Sequence, residues 1–205
     1  MMAIDHLVYG VPALDPAVDE LTQRFGVQAA PGGKHTGRGT HNALLSLGPS
    51  TYLEVIAPDP EQPQPSARPF GLDDLTVPRL VGWAIGCVDI DATIAAARAG
   101  GYDPGDAVDM TRNAPDGTVL RWRLTVNAVA GGPIPFLIAW GDTPQPASSA
   151  PTGLQLEAFE IEHPEPDSIV AVLAALGVDD VAVNRAPTVG LVAHIHGPQG
   201  TLVLR

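Results

Sequence analysis

Apolar and polar positions follow one order three times along the chain: a strand-like apolar run, a short amphipathic stretch, then a glycine. Ile4-Asp5-His6-Leu7-Val8-Tyr9-Gly10 is followed by Leu14-Asp15-Pro16 through Phe25 and Gly26. Leu80 to Val88 leads into a helix beginning at Asp91 and ending at Gly100-Gly101. Leu154 to Glu162 leads into Pro166-Asp167-Ser168 and a helix stopped by Gly177. Val18, Leu21 and Phe25, and later Ile169, Val172, Leu173 and Leu176, recur at helical spacing, the pattern of a helix covering a sheet. Asp15 is the expected N-cap of the first helix, with Pro16 at its first position, where a missing N–H leaves nothing unpaired.

After the first helix come glycine turns (Pro31-Gly32-Gly33, Gly37-Arg38-Gly39) and two strand-like runs, Asn42 to Leu47 and Tyr52 to Ala57. After the second, Val119 to Val126, a turn at Gly131-Gly132-Pro133 and Phe136 to Trp140 repeat that order. Val181 to Asn184, Leu191 to Ile195 and Thr201 to Leu204 complete a third copy. The predicted unit is therefore strand, helix, three strands, a repeat that defines the architecture. Two proline-rich stretches, Pro58 to Pro69 with five prolines and Asp142 to Gly153, read as connectors. The expected modules span 1–60, 76–145 and 153–205. The fold class is α+β, with paired units in a curved, cup-like mixed sheet and helices on its outer face.

Charge narrows the function. The 205 residues carry a formal net charge of −12, and Lys34 is the only lysine. Such a surface repels phosphate backbones and anionic membranes, so neither nucleic acid nor a membrane is an expected partner. No apolar run approaches the roughly 18 residues of a membrane span, and Asp5 and His6 stand where a signal peptide is basic and then apolar. A cytoplasmic protein is the expectation, and Cys87, the single cysteine, allows no internal disulfide.

The chemistry-bearing positions cluster in the first unit. Strand periodicity puts Ile4, His6 and Val8 on one face, and Tyr52, Glu54 and Ile56 on one face. A histidine among apolar neighbours reads either as a hydrogen-bonded core residue or as a ligand. A carboxylate flanked by Val and Ile is the stronger signal, because burial without a partner is costly. The glycine loop lacks Gly-Lys-Ser/Thr and is no phosphate loop. Arg121 and Arg123 alternate around Trp122, either on a solvated edge or facing inward to hold an anion. Trp140 and Phe136 read as a cup wall or as core.

The stretches Ile4-Asp5-His6-Leu7-Val8, Pro31-Gly32-Gly33-Lys34-His35, Gly39-Thr40-His41-Asn42-Ala43-Leu44-Leu45 and Tyr52-Leu53-Glu54-Val55-Ile56 resemble glyoxalase-like domain proteins of the vicinal oxygen chelate superfamily. Trp140-Gly141-Asp142-Thr143-Pro144 adds to the likeness. The resemblance implies two units lining a cup, with metal ligands on the first and last strand of each. His6 and Glu54 fall on those positions in the first unit. In the second, Gly82 and Ile138 fall there and cannot bind a metal, so the ligand set is half of the family's. The implied function is a glyoxalase-like enzyme acting on a small oxygenated, anionic substrate, by lyase, isomerase or oxygenase chemistry. His6 and Glu54 are its catalytic residues and its ligands for a divalent metal (Zn, Mn, Ni or Fe), if one is used. His35, Asn42, Arg121, Arg123 and Trp140 are the expected substrate contacts, with His35 alternatively a third metal ligand. The alternative is a non-catalytic protein that sequesters a small molecule, as bleomycin-resistance proteins do. A third reading is a vestigial cup whose third unit serves oligomerisation, as in a homodimer.

Overall fold

The computed structural model describes residues 2–62, 67–113, 117–126 and 132–205. Residues 63–66 of the first proline-rich stretch and Gly131 of the expected turn lie outside the described residues.

Three strand–helix–three-strand units are present. The first comprises β1 (Ala3–Gly10), α1 (Leu14–Phe25), β2 (Ala30–His35), β3 (Thr40–Ser46) and β4 (Tyr52–Pro58). The second comprises β5 (Arg79–Gly86), α2 (Ile90–Ala99), β6 (Ala107–Asn113), β7 (Val119–Thr125) and β8 (Phe136–Ala139). The third comprises β9 (Gln155–His163), α3 (Pro166–Ala175), β10 (Ala182–Arg185), β11 (Gly190–Gly197) and β12 (Gly200–Leu204).

The first two units close into one eight-stranded mixed sheet in the order β1-β4-β3-β2-β6-β7-β8-β5. Strands β1 and β5 run antiparallel at the seam, each parallel to the last strand of its own unit. On the opposite side the described pairing between the halves is Lys34 with Asn113. The third unit forms its own sheet, β10-β9-β11-β12.

Alternation sorts the side chains. Leu53, Val55 and Ala57 of β4 point outward into a core shared with α1, α2, α3 and the third sheet. Fully burying a side chain such as Phe25 there contributes about 1.5–3 kcal/mol. Trp83 on β5 is completely buried, meets Phe159 of β9 in a tilted ring contact at 5.0 Å, and so ties the third sheet to the cup. Val8, Ile56, Ala84, Trp122, Phe136 and Ile138 point inward. The connector after β4 is more than a spacer: Leu72 and Leu75 are buried in that inner cluster.

Four local expectations need correction. Ala13, not Asp15, caps α1, without a side-chain bond; Asp15 sits within the first turn, where its charge suits the helix dipole. A bulge between Ile4 and His6 turns Ile4 to the outer core, so it does not share the face of His6. Pro31-Gly32-Gly33 is a bulged part of β2 and not a turn. Strand β6 has no counterpart in the strand-like runs read from the sequence, although the unit requires it.

Candidate functional site

Tyr52, Glu54 and Ile56 of β4 face into the closed sheet and line a cavity of about 150 Å3. Glu54 is its chemical centre. The β3/β4 register sets Asn42 beside Ile56, two residue pairs along from Glu54 and on the same face, and Asn42 Nδ2 donates to Glu54 Oε1 at 2.5 Å. Two imidazoles flank the carboxylate: His6 Nε2 stands 3.8 Å from Oε2, and His35 Nε2 stands 3.7 Å from Oε1.

Each ring is oriented by its other nitrogen. His6 Nδ1 lies 2.7 Å from Asp5 Oδ1, a carboxylate oxygen that accepts a hydrogen bond from an Nδ1–H and leaves Nε2 facing Glu54. Asp5 is itself buried and held: Trp140 Nε1 and Gln145 Nε2 donate to its Oδ2 at 3.0 and 3.1 Å. Tyr52 stacks on the His6 ring at 4.6 Å and Phe136 meets it edge-on at 5.4 Å. His35 Nδ1 pairs with Thr40 Oγ1 at 2.9 Å, while Asn42 Nδ2 reaches toward its Nε2 at 3.5 Å. Asn42 thus bridges His35 and Glu54.

Burial sets the charges around this group. Desolvation lowers the pKa of His35, opposed by Glu54 and reinforced by Arg112, Arg38 and His41, so the ring is neutral at physiological pH. Burial, with Asp5 and Glu54 adding to it, pushes the Tyr52 phenol well above 10, and it stays protonated.

The structure brings His6, His35, Asn42, Glu54 and Trp140 to one cavity. It does not bring Arg121 or Arg123 there. Trp122 and Leu124 of β7 face the cup, and alternation turns both arginines away. Arg123 pairs with Asp91 of α2 at 2.6 Å on the outer face, and Arg121 is exposed. The cavity's cations are instead Arg112 on β6 and Arg38 at the β2–β3 turn, both missed by sequence reading. One signal existed: a three-strand unit needs a strand between Gly101 and Gly117, and Val108, Met110 and Arg112 alternate within that interval.

The donor set does not form a metal cage. Among the described residues no group of three or more His, Cys, Asp or Glu is arranged to hold a metal ion. In the second unit the strand pairing sets Ala84 beside Phe136 as His6 stands beside Tyr52, two residues on from Gly82. Ala84 and Ile138, like Gly82, carry no donor group, so the second unit offers no side chain to match His6 and Glu54.

The glyoxalase-like domain family model matches residues 4–177. Among solved structures, one of a hypothetical protein from Staphylococcus aureus matches with TM-score 0.71 and 14% identity, covering 98% of this chain and 93% of that one. Methylmalonyl-CoA epimerase from Mycobacterium tuberculosis matches with TM-score 0.45 and 20% identity over 71% of this chain and 91% of its own. A single-substitution variant of the Streptomyces coelicolor epimerase, in complex with 2-nitronate-propionyl-CoA, gives 0.46 and 18% over 70% and 97%. Among curated proteins no relative matches. At these identities the structural matches speak to fold alone, but the family model spans most of the chain. The chain belongs to the glyoxalase-like domain family of the vicinal oxygen chelate superfamily.

Proposed function

We propose that the protein is a proton-transfer enzyme of the isomerase or lyase kind, acting on a small oxygenated, anionic substrate within the cup. The observation that supports this most is Glu54: a carboxylate oriented by Asn42, facing an apolar cavity, with no cation in contact with it among the described residues. A carboxylate so placed is a general base for a C–H next to a carbonyl. It removes the proton, and the electron pair moves onto the carbonyl oxygen to give an enolate. The carboxylic acid then returns the proton to the same carbon or to a neighbouring atom. His6, locked by Asp5, and neutral His35 border the reacting atoms and can pass or accept hydrogen bonds as charge moves to oxygen. The cavity walls, Trp122, Trp140 and Phe136, exclude water.

A divalent metal bound by His6 Nε2 and Glu54 would polarise the substrate oxygen; among the described residues no third His, Cys, Asp or Glu is arranged with them to hold it. A sequestering function is the second reading, favoured by the bare second unit (Ala84, Ile138) and the aromatic wall.

The test is proton exchange in D2O. Small 2-oxo and 2-hydroxy acids are incubated with the wild type and with Glu54→Gln, and deuterium at the carbon next to the carbonyl is followed by NMR. The wild type is expected to exchange it, and the variant to lose about 100-fold or more in rate. Compounds that bind but never exchange would replace the enzymatic reading with sequestration.

A further inference from the structure

One buried cation in the cup has no ion pair among the described residues. Arg112 is 5% exposed, the only lysine or arginine in the buried set of the described residues. Its Nη1 is buried and has no hydrogen-bond partner there. It comes from β6, whose neighbours Met110 and, on β7, Trp122 and Leu124 line the same cavity. A guanidinium stays charged even when desolvated, so an unpaired one in an apolar wall is destabilising. Glu54 acts on it across the cavity, without a hydrogen bond between them among the described residues. Charges of both signs therefore line one small space, and neither neutralises the other by contact.

We propose that Arg112 is the substrate-anchoring residue of this cup and that its ligand is a short-chain carboxylate, whose carboxyl pairs with the guanidinium while the adjacent carbonyl-bearing carbons reach Glu54. This rests on the functional reading above and names its substrate class. The planar fork of arginine matches a carboxylate's two oxygens, and one nitrogen of that fork, Nη1, is buried without a partner among the described residues. Size agrees: a cavity near 150 Å3 is about what one six-membered ring fills, so the acid is short. A phosphate dianion suits the site less, because the single buried guanidinium leaves one of its charges facing Glu54. Charge alternation along the cavity also fixes the direction of entry. The carboxylate goes to the β6 wall, and the C–H to be removed lies toward β4.

The experiment uses 2-oxobutyrate, its uncharged analogue 2-oxobutanamide and inorganic phosphate as probes, with affinities measured by NMR titration at neutral pH. The wild type should bind the acid about tenfold or more tightly than the amide, as expected for a hydrogen bond to a charged group. Arg112→Gln should remove that preference, and Arg112→Lys should restore part of it. Glu54→Gln should keep the preference while losing deuterium exchange at C3, which separates failure of the base from failure of the anchor. Should Arg112→Gln not fold, the wild-type acid-to-amide ratio and the lysine variant carry the result. Equal binding of acid and amide, no binding of either at on the order of 10 mM, or phosphate binding tighter than the acid would overturn the proposal. Exchange into the amide without any acid preference would overturn it too, while leaving Glu54 as base.

Discussion

A Cβ placed on Gly32 would lie 2.2 Å from Asn42 Oδ1. The φ of Gly32 is outside the left-handed region, so the requirement is for space and not for backbone freedom. Gly32 occupies the bulge where β2 pairs with β3, and the amide of Asn42 fills the side-chain volume it leaves. That amide holds Glu54. The bulge in β2 therefore sets the aim of the central carboxylate from two strands away.

Gly32→Ala should displace Asn42 from Glu54. We expect a loss of about 1–3 kcal/mol in stability, as for overpacking, together with slower deuterium exchange. Urea unfolding and the D2O assay measure the two effects. A variant with wild-type stability and exchange rate would show that the close approach relaxes without consequence.

Asp5→Asn should destabilise the protein although it is nearly isosteric. Asp5 accepts from His6 Nδ1, Trp140 Nε1 and Gln145 Nε2, and an asparagine must turn an NH2 toward at least one of those donors. Each buried donor left unpaired costs about 1–3 kcal/mol. The midpoint of urea unfolding should fall with an unchanged slope.

The pH dependence follows from His35, whose pKa is lowered in the folded state by burial. Between that value and about 6.5, the unfolded chain binds more protons than the folded one. Stability from this group is therefore complete above about 6.5 and declines as pH falls below it. Chemical unfolding of the wild type and His35→Gln across this window should give a shallower acid slope for the variant. Parallel slopes would mean that other groups govern the response.

Arg121→Gln and Arg123→Gln should leave exchange and acid binding unchanged, because both side chains lie outside the cup. Loss of acid preference in either would return them to the substrate.

Elemental analysis after dialysis should find divalent metal well below one equivalent per chain. Two protein donors retain a cation less firmly than the three or four of established zinc sites. Stoichiometric metal that disappears in Glu54→Ala would reveal a ligand beyond His6 and Glu54.

The three-fold strand–helix–three-strand order, the helices and most strands were legible in the sequence. They rest on local rules: apolar period, Pro and Gly stops, and turn residues at fixed offsets. The positions of His6 and Glu54 on inward strands were legible for the same reason, since alternation is a property of one strand. The register between strands is not local. The bulge before His6 turned Ile4 outward, the bulge at Gly32 made a strand of a glycine-rich stretch, and strand pairing settled that Trp122, not Arg121 and Arg123, faces the cup. A one-residue shift reverses every side chain of a strand, and only pairing with neighbours settles it. Arg112 illustrates the limit most clearly. Its strand is polar and weakly patterned, and its burial comes from sheet closure between the two halves, which no single segment encodes.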